Sequence, residues 1–93
     1  MVIGILQMDI FLPETGSLKE KRWIVKSLTT RIRNKFNVSV AEVDSQDKWQ
    51  KAVFAVAHVG NRQAFTNKLL DEVLNFARGV KQIEIIDSKL EFL

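Results

Sequence analysis

The residues spaced to do chemistry are cations. Lys19, Arg22, Lys26 and Arg33 recur at helical intervals, with Thr30 in the same sector and Trp23 beside it. At about 100° of rotation per residue they share one helix face. Such a row of Lys and Arg neutralises phosphates and releases their counterions. An outward Trp among cations fits stacking on an unpaired base. Lys21, Arg31 and Lys35 are placed on the opposite flank, so seven basic residues face one acid, Glu20, along this helix. The plainer reading is a solvated face whose long side chains lie over the edge of the core. Trp23 then covers a neighbouring loop or a second subunit.

A second polar cluster runs through Asp44, Gln46, Asp47, Lys48, Trp49, Gln50 and Lys51. Read plainly, it is turn chemistry with a Trp packed over the base of a hairpin. Read functionally, it is a recognition loop in which Trp49 and Gln50 meet a partner or a base edge. Asp47 is a candidate to pair with Lys21 or Arg22, which would orient a guanidinium rather than bind nucleic acid.

The rest of the sequence argues against catalysis. Zero Cys removes disulfides, thiolate nucleophiles and Cys-ligated zinc. The single His, His58, sits in an apolar strand, and no Glu or Asp has the local spacing to complete a metal site with it. Neither a Gly-rich phosphate loop nor a nucleophile elbow is present. No catalytic residue, metal or cofactor is expected.

The elements that position these residues follow from pattern. Ser17 is a good N-cap, and Glu20 three residues on completes a capping-box pattern. Pro13 and Gly16 suit the loop before it. Leu18, Val25, Leu28, Ile32 and Phe36, with Ile24 at the edge, give the first helix an apolar stripe to about Phe36, and Asn37 stops it. Residues 2–12 read as a strand, with Val2, Leu6, Met8, Ile10 and Leu12 on one parity and Ile3, Ile5 and Phe11 on the other. The second face is therefore also apolar, either as a central strand or as a surface that packs on a second copy or a partner.

Residues 37–43 and 49–59 read as a hairpin. Asn61 is expected to cap a second helix with a stripe of Phe65, Leu69, Val73, Phe76 and Ala77, Leu70 at its edge and Gly79 as a left-handed stop. Residues 80–86 form the last strand, with Ile83 and Ile85 inward. Leu90, Phe92 and Leu93 continue it past a bulge near Asp87–Ser88. The order is β-α-β-β-α-β, which predicts a ferredoxin-like α+β domain over residues 1–93: a four-stranded antiparallel sheet with both helices on one face.

Composition sets wide bounds. Ninety-three residues make one domain, too small for an enclosed active site with a lid. The apolar share of 46% is that of an ordinary globular chain, and the net charge of +3 leans weakly toward acidic partners. The N-terminus has no basic leader, and no apolar run is long enough to span a membrane, so a cytoplasmic location is expected.

Three stretches carry a resemblance: Ser17–Leu18–Lys19–Glu20–Lys21–Arg22, then residues 36–43 (FNVSVAEV), then Asp47–Lys48–Trp49–Gln50. Together with the strand-initial Ile3–Gly4 and the length, they resemble the YlxP-like family of small bacterial proteins of unknown function. The resemblance implies a ferredoxin-like domain that self-associates. It also implies a genetic setting near initiation factor 2 and ribosome-binding factor A. No catalytic residues are established for that family, and Trp23 and His58 lie outside its motifs. The reading is a non-enzymatic, cytoplasmic protein that binds ribosomal RNA or a ribosomal subunit through its basic helix face, in ribosome maturation or translation. The alternative is an interaction module whose open sheet face, with Ile3, Ile5 and Phe11, pairs two copies.

Overall fold

The computed structural model describes residues Met1–Leu93. Its elements are β1 (Val2–Phe11), α1 (Leu18–Lys35), β2 (Ser39–Asp44), β3 (Lys51–Gly60), α2 (Gln63–Arg78) and β4 (Glu84–Phe92). One sheet has the strand order β2-β3-β1-β4, with every pair antiparallel. This is the expected ferredoxin-like arrangement, in which each helix links two strands that a third separates.

Alternation along β1 divides the sheet into two faces. Leu6, Met8 and Ile10 are buried with Phe54 and Val56 of β3. They pack with Leu28 and Ile32 of α1 and Leu70, Val73 and Ala77 of α2 in one core. The odd residues Ile3, Ile5 and Phe11 lie on the other face and are half-buried.

The first helix starts as its sequence demands. Ser17 accepts a hydrogen bond from the Glu20 amide at 3.1 Å. The Glu20 carboxylate accepts from the Gly16 amide at 2.9 Å, one residue earlier than a standard capping box. Phe36 is the C-cap.

Several boundaries differ from expectation. The strands of the hairpin begin two residues late, so Trp49 and Gln50 lie in the loop before β3. Arg62, not Asn61, caps α2, with no side-chain hydrogen bond. Gly79 is right-handed at φ −83°, and its amide closes a tight turn onto Phe76 and Ala77 instead of a left-handed cap. Residues 80–83 form a turn, so β4 starts at Glu84, and the bulge falls at Ile86, where the register steps from Ile85 to Asp87.

The buried line of α2 is also rotated. Thr66, Leu70, Val73 and Ala77 are buried, while Phe65 is 55% exposed. Glycines make this line possible. A β-carbon on Gly4 would meet Thr66 Cγ2 at 2.5 Å and Leu70 Cδ1 at 2.9 Å; one on Gly60 would meet Thr66 Oγ1 at 2.8 Å. Thr66 then reaches His58 Nδ1 at 3.0 Å, which partners the one buried imidazole.

Candidate nucleic-acid interface

Helix α1 sorts its cations into three environments. Lys19, Arg22 and Lys26 are exposed, and Trp23 between them is 66% exposed. The exposed indole bears on two shallow hollows. One, of about 360 Å³, is lined by Trp23, Lys26, Ser27, Thr30 and Arg31. The other reaches Val80 and Gln82 in the α2–β4 turn. The single ion pair in the chain is Lys21–Glu42, so no carboxylate lies within 4.0 Å of Lys19, Arg22 or Lys26.

The remaining cations have structural work. Arg33 is exposed but donates to the Val40 carbonyl at 3.0 Å, along the edge strand β2. Arg31 and Lys35 each lie 5.3 Å from the centre of the Phe76 ring, which ties α1 to α2 by cation–π contacts.

Lys21 overturns its sequence assignment. It does not line the basic surface: it is 1% exposed. Its ammonium lies 2.8 Å from Glu42 Oε2 and donates to the backbone carbonyl of Ser45. The Glu42 approach has the distance of an ion pair but not the angle of a hydrogen bond, because Glu42 Oε2 has no hydrogen-bond partner. The helical wheel explains the placement. At about 100° per residue Lys21 falls between Leu28 and Ile32, in the middle of the apolar stripe. The pairing expected between Asp47 and Lys21 or Arg22 is absent, since the partner is Glu42. Sequence reasoning missed Glu42, which stood in view as the only charged residue of the stretch 37–43 read as the second strand.

The loop between β2 and β3 sits beside the start of α1. Ser45 has φ 65°, a left-handed conformation that its backbone carbonyl's bond to Lys21 accompanies. Lys48 donates its amide to Ser45, the Leu12 amide donates to Gln50, and the Gln50 side chain donates to the Pro13 carbonyl at 3.2 Å. The family motifs at residues 17–22 and 47–50 thus meet at one end of the molecule through the Ser45 carbonyl, which Lys21 and Lys48 share, while Gln50 ties the second motif to the loop before α1. Asp47, Trp49 and Gln50 are all exposed there. Ile3, Ile5 and Phe11 lie on the sheet's far face, away from the α1 cations.

No three His, Cys, Asp or Glu residues cluster to hold a metal, and no helix is long and apolar enough to cross a membrane. Residues 3–90 match the family described as "Protein of unknown function (DUF503)". Over 91 residues the chain is 38% identical to the uncharacterized protein YlxP of Bacillus subtilis (strain 168), an alignment covering 98% of this chain and 99% of that one.

Proposed function

For this chain, which belongs to the DUF503 family of YlxP-like proteins, we propose a non-enzymatic, cytoplasmic role in binding ribosomal RNA or a ribosomal subunit through the solvent face of α1. The observation that carries this reading is the exposed Trp23 set among Lys19, Arg22 and Lys26, none of which has a carboxylate partner. An indole that is 66% exposed keeps much of its apolar surface in water, while unneutralised cations beside it favour a polyanion. Stacking of an unpaired base on the indole would use the ring, and phosphates would use the cations. Arg33, fixed on Val40, extends the row toward the edge strand. A place in ribosome maturation or translation is the setting that the family resemblance supports.

The test is co-sedimentation with ribosomal subunits and with free ribosomal RNA at two salt concentrations, for the native chain and for Arg22→Glu/Lys26→Glu. Co-migration that falls with salt and is weakened in the variant supports the reading, and co-migration unchanged in the variant takes α1 out of it. Absence of co-migration at low salt overturns it.

A second reading has its own observation. Val59 of β3 and Leu93, beside Ile3, are strongly exposed at one end of the open sheet face that carries Ile3, Ile5 and Phe11. That apolar surface suits self-association. Ile5→Asp then lowers the mass measured by light scattering, and an unchanged mass removes the idea.

A further inference from the structure

We propose that a cleft between the end of β1 and the β2–β3 loop is a second nucleotide site, separate from α1, which seats one unpaired base of a single strand with its phosphates. The cleft has a volume of about 480 Å³ and is lined by Phe11, Asp47, Lys48, Trp49, Gln50 and Lys51. It is shallow and open to solvent, as a site for one base of an extended strand would be.

The sheet register creates it. Phe11 pairs with Lys51 across β1 and β3, on the face turned away from both helices. Trp49, two residues before Lys51, is 53% exposed in the same cleft. Two aromatic rings and two lysines therefore line one shallow, open hollow. Neither Lys48 nor Lys51 has a carboxylate within 4.0 Å, even though Asp47 lies in the same lining. The exposed surface of Trp49 and of half-buried Phe11 suits a planar ligand, and cations without a counterion suit an anionic one. A nucleotide supplies both in one unit: its base presents a π-face to Trp49 or Phe11, and its phosphates meet the lysines. Asp47 supplies an acceptor for a base N–H.

The walls are fixed before any ligand arrives. Gln50 is tied at its main chain to Leu12 and at its side chain to Pro13. The Ser45 carbonyl takes both the Lys48 amide and the Lys21 ammonium. A loop ordered in advance loses less conformational freedom on binding. This gives buried Lys21 a positioning role: it holds the backbone from which Lys48 and Trp49 project.

The two tryptophans allow the two sites to be read separately. Trp23→Phe leaves Trp49 as the only indole, and Trp49→Phe leaves Trp23. The probe is a single-stranded RNA hexamer at low salt, with an abasic hexamer of the same length as control. In Trp23→Phe the Trp49 emission is expected to fall saturably with the base-bearing strand. Lys48→Glu/Lys51→Glu in that background weakens the response at least tenfold without moving the thermal midpoint, both lysines being exposed. Arg22→Glu/Lys26→Glu leaves it intact. An unresponsive Trp49, an equal response to the abasic strand, or indifference to the lysine reversals overturns the proposal. Trp49→Phe reports the α1 face alone, so failure of either site is seen independently of the other.

Discussion

The ammonium of Lys21 lies 2.8 Å from Glu42 Oε2, inside a core that has no other charged pair. The contact joins the first turns of α1 to β2, and the same ammonium holds the Ser45 carbonyl. One side chain thus fixes helix, strand and loop at the end of the molecule where the family motifs meet.

Removing one partner of such a pair leaves a charge in the wrong medium. Lys21→Met is expected to cost about 3 kcal/mol, at the low end for a broken buried pair because Glu42 keeps some contact with solvent. Lys21→Met/Glu42→Leu removes the stranded carboxylate and should recover a good part of the loss. Urea denaturation of the single and double variants measures both. A single variant within 0.5 kcal/mol of native, to order of magnitude, would mean that water replaces the ammonium.

Two glycines make opposite predictions from the same substitution. Gly4→Ala drives a methyl into Thr66 and Leu70, so overpacking costs on the order of 1–3 kcal/mol. Gly16→Ala meets only Glu20 Oε2 at 3.6 Å and should be close to neutral. Thermal unfolding of the two variants side by side checks the contrast. Equal melting temperatures would show that α2 shifts freely over β1.

The fold was legible because its signals are local and agree with one another. Ser17 with Glu20, the alternation of residues 2–12 and the polar turn before β3 each specify an element, and their order leaves few topologies. The misplacements have tertiary causes. Lys21 reads as a surface residue by type, yet its angle on the helix puts it beside Leu28 and Ile32. Only the arrival of Glu42 from β2 and Ser45 from the loop after it makes that position tolerable for a cation. Likewise Thr66 displaces Phe65 from the core because Gly4 and Gly60 leave a space that fits a small branched side chain. Of the α1 face, the shared sector of Lys19, Arg22 and Lys26 was legible from periodicity, but the exposure of Trp23 was not, because it depends on which loop or element packs beside the helix. The pairing of Phe11 with Lys51 was not, because it depends on the register of strands far apart in the chain.

Asp9 and Asp87 stand directly opposite each other across β1 and β4. Neither has a cation within 4.0 Å. Like charges in facing positions of an antiparallel pair repel. Asp87→Asn keeps an acceptor for the Ser88 amide, which Asp87 now holds at 2.9 Å, and removes the repulsion. It should stabilise the chain by about 0.2–1 kcal/mol. The gain should shrink at high salt, where the surface repulsion is already screened. Urea midpoints at two ionic strengths decide it: a loss of stability at low salt would show that the carboxylates are held apart or neutralised.

Two of the α1 cation environments and the indole between the cations predict three different responses to mutation. Each phosphate neutralised on a single strand contributes a slope of about −0.7 to log K against log salt. Contacts from Lys19, Arg22 and Lys26 together therefore give a slope of roughly −2. Arg22→Gln should flatten the slope by about 0.7 and leave stability within about 0.5 kcal/mol of native, because its side chain is exposed and unpaired. Arg31→Gln should instead lower stability by about 0.5–1 kcal/mol through loss of its contact with Phe76, with a smaller effect on the slope. Trp23→Ala should weaken binding at every salt concentration by about 1–3 kcal/mol and leave the slope unchanged, since stacking releases no counterions. Fluorescence-anisotropy titrations of a labelled single-stranded RNA at four salt concentrations give both quantities for each variant. Parallel lines for native and Arg22→Gln would take the phosphate contact away from Arg22, whatever the affinity.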